Sequence, residues 1–232
     1  MSRTCLAFLF TVLLSSMSAW NVGFADDAKP VTEEKPAAEK SEQGWKPLFP
    51  KEGLDGWKVT NFGGEGEVSR NGDEVVIAQG VDLSGITSTR TDLPKVNYEI
   101  EFEAQRAIGN DFFAGLTFPV KDSHVSLICG GWGGGLCGIS SIDGNDASEN
   151  STTSFLEFEK GQWYKVRIRV TPEKIEAWLD GKSLVDVEIT DRKLDVRFEV
   201  EPSKPLGFST YQTTAHLRNA RIRTLPTPAP AK

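Results

Sequence analysis

Apolar and polar residues alternate in short runs along most of this chain. The runs are "DEVVIA" (73–78), "NYEIEFEAQ" (97–105), "DFFAGLTF" (111–118), "HVSLIC" (124–129), "TSFLEFE" (153–159), "QWYKVRIRVT" (162–171), "KIEAWLD" (174–180), "SLVDVEI" (183–189), "VRFEV" (196–200), "LGFSTYQ" (206–212) and "LRNARIRTL" (217–225). A period of two is that of a half-buried strand, and Gly, Pro, Asn and Asp punctuate the gaps. No stretch keeps a helical period for twelve residues. Asp180-Gly181, between two alternating runs, predicts a hairpin turn. Many short strands at this spacing predict an all-β fold, a jelly-roll sandwich of two antiparallel sheets over residues 44–225.

The alternation also sorts faces. Tyr98, Ile100, Phe102 and Ala104 fall on one side of their strand, and Glu99, Glu101 and Glu103 on the other. Tyr164, Val166, Ile168 and Val170 point inward, leaving Trp163, Lys165, Arg167 and Arg169 outside, with Glu176 and Trp178 outside on the next strand. An acidic row beside a basic row predicts cross-strand ion pairs. The same face is either a solvated, charge-laced surface or a groove floor with Trp178 as a stacking platform. Glu101 and Glu103 share a face, as a glycosidase's two carboxylates would, but that spacing is commonplace in solvated strands.

The ends differ in composition. Arg3 precedes an apolar run from Leu6 to Leu14, and Gly23 and Ala25 follow it. This reads as a signal peptide over residues 1–25, implying export to a periplasmic or extracellular space. The run is too short to span a bilayer, which takes about 20 residues, and no later segment could cross one. Residues 26–43, rich in Pro, Ala, Glu and Lys, predict a disordered linker, and residues 226–232 a flexible tail. The formal net charge is −7 with scattered lysines, which offers no footprint for nucleic acid.

The candidate chemistry gathers around "CGGWGGGLCGISSIDGNDASEN" (129–150). Its glycines allow close backbone approach, and Trp132 offers a flat face on which a sugar ring can stack. Cys129 and Cys137 either close this loop as a disulfide or stand as buried thiols on neighbouring strands. Asp143, Asp146 and Glu149 have the oxygen-rich make-up of a Ca²⁺ or similar divalent-cation site, and equally that of a turn bonding its own backbone. The chain has two histidines, His124 and His216. His124 leads into the glycine loop and suits proton transfer, with Arg90 as a partner for developing negative charge. No Gly-x-Ser-x-Gly elbow is present.

Three segments taken together resemble the 3-keto-disaccharide hydrolase domain family: "GWKPLFPKEGLDGWKV" (44–59), "GQWYKVRIRVTPEKIEAWLDGKSLVD" (161–186) and "PLGFSTYQTTAHLRNARIRTL" (205–225). The resemblance implies a concanavalin-like jelly roll and a carbohydrate ligand. It implies action on 3-keto-glucosides, by hydrolysis or by a lyase-plus-hydratase route with a divalent metal. Where the family carries a Gln-x-His-Gly-like stretch, this chain has "STYQTT" (209–214), which makes Tyr211 and Gln212 the candidate ligand contacts and removes a histidine. Where the family has a Tyr-Glu-Val-Gln-Ile-like strand, this chain has "HVSLI" (124–128). Two other roles compete with catalysis: a glycan-binding module that keeps the fold without the chemistry, and an envelope protein that self-associates through its glycine loop.

Overall fold

The structure, a computed structural model, describes residues 43–226. The expected leader, linker and tail lie outside the described residues, apart from Gln43 and Pro226. The strands run, in chain order, β1 (Lys46–Pro47), β2 (Trp57–Val59), β3 (Val68–Asn71), β4 (Glu74–Ile77) and β5 (Leu83–Ser88). Then come β6 (Tyr98–Ile108), β7 (Ala114–Val120), β8 (Ser123–Gly131), β9 (Leu136–Ser140) and β10 (Ser154–Phe155). The last are β11 (Trp163–Val170), β12 (Lys174–Leu179), β13 (Lys182–Glu188), β14 (Gly207–Tyr211) and β15 (Thr214–Thr224), with a 3-10 helix, Phe198–Ser203, before β14. Among the described residues no helix is long and apolar enough to cross a membrane.

The strands form the two antiparallel sheets that the alternation predicts. The first sheet is ordered β13-β12-β11-β6-β15-β4-β3, with β1 on β15; the second is β10-β9-β8-β7-β14-β5-β2. The inward rows of β6, β11 and β12 meet Leu116, Phe118, Val125, Leu127, Ile139 and Phe208 from the second sheet in one core. Phe102 and Phe208 touch edge to face across it, with ring centroids 5.1 Å apart. Burying such side chains supplies about 1.5–3 kcal/mol each.

The outer face of the first sheet is an ion-pair lattice. Glu99, fully buried, accepts from Arg169 Nε at 2.8 Å and from Arg223 Nε at 2.7 Å. Glu101 pairs with Lys165 and Arg221, and Glu103 with Arg218. A register shift in β15 between Arg218 and Arg221, with Asn219 at φ 54°, lets residues an odd number apart share this face. The cross-strand ion pairs expected of this face form, and a cavity of about 490 Å³ bordered by Trp45, Glu101, Glu103 and Lys165 also lies on it. Trp178 lies under the guanidinium of Arg167, 4.1 Å from its ring centre.

Two expected strands differ. "VRFEV" turns instead into the 3-10 helix, which contains Pro202 and leaves Phe198 80% exposed; proline cannot donate to a ladder. In "TSFLEFE" only Ser154–Phe155 pair with β9, and Phe155 and Leu156 face solvent. β5 ("LSGITS") and β9 ("LCGIS") escape the alternation because both of their faces are covered. The Asp180-Gly181 turn forms as expected, both residues at positive φ.

Removing the carboxylate of Glu99 would leave two arginines facing a site that water does not reach. Glu99→Ala should therefore cost about 3–5 kcal/mol. Urea unfolding would show this as a lowered midpoint at unchanged slope.

Candidate functional site

The outer face of the second sheet is built differently from that of the first. Its outward positions are small or uncharged along the centre: Gly115 and Thr117 on β7, Ser126 and Ile128 on β8, Gly138 and Ser140 on β9, Ser209 on β14. Small residues leave room for rings to lie on the sheet. A Cβ at Gly115 would sit 3.0 Å from the ring of Phe112 and 2.7 Å from Ser209 Oγ, so Phe112 reaches the floor because Gly115 has no side chain. Phe112 then stacks on Tyr211, ring centres 6.1 Å apart at 28°.

These rings border a cavity of about 610 Å³, with Phe62, Phe112, Trp132 and Tyr211 as its aromatic walls and Ser126, Ile128 and Ser140 beneath. That volume suits a small organic ligand. Glu65 fixes the Phe62 segment: its Oε2 accepts the N–H groups of Phe62, Gly63 and Gly64 at 2.9–3.0 Å. Those backbone donors pull its pKa down to about 2. At the floor, Ser126 Oγ is bonded to Thr117 Oγ1 at 2.8 Å. Its cross-strand neighbour Ser140 keeps a buried hydroxyl with no partner among the described residues.

The glycine loop is held by two side chains. Arg106, 5% exposed, sits at the end of the inward row of β6 and donates from Nη2 to the carbonyls of Gly130 (3.0 Å) and Gly134 (2.8 Å). Its guanidinium lies over Phe113, and burial pulls its pKa below the ordinary arginine value against the charge of Asp111. Gly130, at φ 79°, has no room for a Cβ, which would come within 2.3 Å of Arg106 Nη2. Asp111 accepts Phe112 N–H on Oδ1 and Gly133 N–H on Oδ2, both at 2.8 Å. Trp132, at φ 48° and 47% exposed, is thereby presented at the cavity mouth.

Asp82 is the second acid of the cavity. Its charge raises the Tyr211 phenol above the ordinary tyrosine range, aided by burial, by the hydrogen bond between them and by Asp111. Gln212 Nε2 donates to Asp82 at 3.2 Å. Arg197 and Glu199 close the far wall, Arg197 bridging Glu199 (2.8 Å) and Asp146 (2.7 Å).

The expected site residues are therefore divided. Trp132 and Tyr211 come together in the cavity, with Gln212 behind Asp82. Trp178 is on the opposite face of the sandwich, stacked by arginines. His124 and Arg90 share a different cavity with Lys58, Lys95, Lys121 and Lys204. Asp143, Asp146 and Glu149 do not converge. Asp143 pairs with Arg192 (2.8 Å) and accepts Lys193 N–H, while Asp146 accepts from Ser148 and Arg197. Asn150 ties the loop to the carbonyls of Ile139, Asn145 and Asp146, so of the two readings of this run the self-bonded turn is the one formed. Among the described residues no three of His, Cys, Asp and Glu are placed to hold a metal ion, so the donors present do not fit the divalent metal that the resemblance implies.

Cys129 and Cys137 face each other directly across β8 and β9 as buried free thiols. The hydrogen bond to Cys137, with burial, pushes the Cys129 thiol well up in pKa. The disulfide that the spacing allows is not formed; the ladder and Arg106 already tie the loop's ends. Sequence reasoning missed Asp82, Asp111, Phe62, Phe112, Ser140 and Arg106. The signal for Arg106 was available: it continues the row Tyr98, Ile100, Phe102, Ala104 at the same period.

Burial, reinforced by Lys204 and Lys95 against the opposing Glu201, lowers the pKa of His124 from its ordinary value. Its imidazole should accordingly titrate below about 6.5 and be mostly neutral at pH 7. Proton NMR can follow this, because His216 is the one other histidine; a midpoint above 6.5 would contradict the described burial.

A family model described as the 3-keto-alpha-glucoside-1,2-lyase-like domain matches residues 44–223. No curated protein matches the chain. Solved structures match at low identity. The carbohydrate-binding module CBM66 from Bacillus subtilis is 12% identical with a TM-score of 0.51, over 73% of this chain and 96% of that one. A protein from Parabacteroides distasonis assigned as a glycosyl hydrolase is 15% identical with a TM-score of 0.53, over 83% and 99%. The apo Crh5 transglycosylase is 15% identical with a TM-score of 0.54, over 80% and 85%. These likenesses are of fold, the jelly-roll sandwich. The family match spans nearly the whole described domain, from the segment before β1 into β15, and the chain belongs to the 3-keto-alpha-glucoside-1,2-lyase-like domain family.

Proposed function

We propose that this chain binds a glycoside in the aromatic cavity and acts on 3-keto-glucosides there. The observation that carries the reading is a cavity walled by Trp132, Tyr211, Phe112 and Phe62 with the Asp82–Tyr211 pair at its edge. Aromatic faces suit the C–H faces of a sugar ring, and a ring stacked on them is held beside the two polar groups. Family membership supports the substrate class, and the names of the fold relatives are consistent with a carbohydrate ligand. On this reading the apolar segment within residues 1–25 serves as a signal peptide, and the chain works in the periplasm or outside the cell.

The chemistry follows from the ketone. A carbonyl at C3 acidifies the hydrogen on C2, and Asp82 takes that proton. The electron pair forms the C1–C2 double bond as the C1–O1 bond breaks; the departing aglycone oxygen takes a proton from solvent water, and Asp82 returns the C2 proton to solvent. Tyr211, its phenol held protonated by the charge of Asp82, donates to the oxygen on which negative charge develops. Water adding across the double bond completes hydrolysis. Asp111 is a positioning residue, since both its oxygens are engaged with loop N–H groups. No three His, Cys, Asp or Glu side chains of the described residues are placed to hold a metal ion at the cavity, and Asp82 and Tyr211 carry the steps.

A second reading, a glycan-binding module without catalysis, is favoured by the floor. Ser126, Ile128 and Ser140 carry no ionisable group, and both histidines lie elsewhere.

The test uses 3-keto-glucosides and their unoxidised parents, with products followed by mass spectrometry and affinity by calorimetry. Turnover of the keto sugar alone is expected. Asp82→Asn should lower kcat about a hundredfold or more with KM little changed, and Trp132→Ala should weaken binding roughly tenfold. Keto sugars that bind but return intact would establish the module reading. Undiminished binding by Trp132→Ala would remove the cavity from both readings.

A further inference from the structure

The cavity that holds His124 and Arg90 measures about 580 Å³ and lies on the same outer face of the second sheet. It is a basic region of an acidic chain: Lys58, Arg90, Lys95, Lys121 and Lys204 line it, against Asp122 as its one lining acid. Arg90, Lys95 and Lys204 have acidic partners, Asp92, Asp122 and Glu201, whose side chains are 73%, 99% and 50% exposed. Ion pairs so open to water contribute little, and their cations are available to a multivalent anion. Lys58 and Lys121 have no ion-pair partner among the described residues, Lys121 Nζ donating only to the Ile189 carbonyl at 3.4 Å, and the half-buried imidazole of His124 has no hydrogen bond there. Five cations against the carboxylates of Asp92, Asp122, Asp195 and Glu201 leave a local excess of positive charge at this concavity, although the net charge is −7.

Placement gives the ligand class. His124, Ser126 and Ile128 are successive outward residues of β8, the first in the basic cavity and the others under the aromatic one. At about 3.4 Å per residue, His124 and Ile128 stand ~14 Å apart, the span of a short oligosaccharide. Between them the 3-10 helix is anchored over the sheet by Thr87 Oγ1, which donates to the Pro202 carbonyl at 3.0 Å. It lends Phe198, Glu199 and Val200 to one cavity, preceded there by Arg197, and is followed by Lys204 in the other.

We propose that the basic cavity is a subsite for an acidic group on the saccharide, a uronate carboxylate or a sulfate ester, carried beside the sugar bound at Trp132. The saccharide part of this assignment rests on the proposed function; the affinity for the anionic group does not. No bond is made or broken here. The subsite selects the ligand and sets its direction across the sheet.

Calorimetry on the full chain tests this with an oligouronide, a sulfated oligosaccharide and a neutral oligosaccharide of equal length. The chains compared are the parent, the double variant Lys58→Glu/Lys121→Glu, Trp132→Ala and, as a charge control away from both cavities, Lys182→Glu. Thermal unfolding confirms that each is folded. At low ionic strength at least one acidic ligand should bind tenfold or more tightly than the neutral one, and which one separates carboxylate from sulfate. The preference should fall with added salt, vanish in the double variant and survive Lys182→Glu. Trp132→Ala should weaken acidic and neutral ligands alike. Equal affinity for all three ligands, or a preference that survives the double variant, overturns the proposal. If Trp132→Ala leaves acidic binding untouched while the double variant removes it, the basic subsite stands and the aromatic-cavity reading falls.

Discussion

Alternation along β6 commits Tyr98, Ile100, Phe102 and Ala104 to the core, and the same geometry commits Arg106 to the interior. A guanidinium there needs acceptors, and the chain supplies the carbonyls of Gly130 and Gly134. One strand's register thus fixes the core on its inner side, the carboxylates of the ion-pair lattice on its outer side, and at its end the support of the glycine loop. Trp132 is placed by that loop, so the aromatic cavity on the second sheet depends on an arginine that belongs to the first.

The two outer faces differ in how their polar and aromatic groups are partnered. On the first sheet, Glu99, Glu101 and Glu103 are each met by arginine or lysine, and Trp45, Trp163 and Trp178 lie against guanidinium groups. Those indoles are already stacked. On the second sheet the outward positions are small, rings rest on them, and Ser140 keeps a buried hydroxyl without a protein partner. The unpartnered Ser140 hydroxyl and the exposed indole of Trp132 give this face groups that a ligand could engage.

The fold was legible because alternation is a local signal with a global meaning. The inward rows of β6 and β11 and the turn at Asp180-Gly181 follow from period and composition alone. β5 and β9 were not legible, since strands covered on both faces lose the alternation, and "VRFEV" imitates a strand while Pro202 ends any ladder. The site was only half visible. Trp132 and Tyr211 could be picked out as aromatics beside glycine or within a resembling segment. Asp82, Asp111 and Phe62, however, are brought to them by contacts of long sequence separation, for which one sequence carries no mark. His124 and Arg90 line one cavity, but β8 sets His124 one outward position away from Ser126 of the aromatic floor.

Under the proposed function, the ligand docks on the outer face of the second sheet, at the loop that Arg106 supports. Nitrogen-15 NMR of the tryptophan indoles during titration with a 3-keto-glucoside tests it most directly. The account predicts a saturable shift of the Trp132 indole while those of Trp45, Trp163 and Trp178 stay in place. Shifts confined to Trp163 and Trp178, with Trp132 unmoved, would contradict it and put the ligand on the opposite sheet.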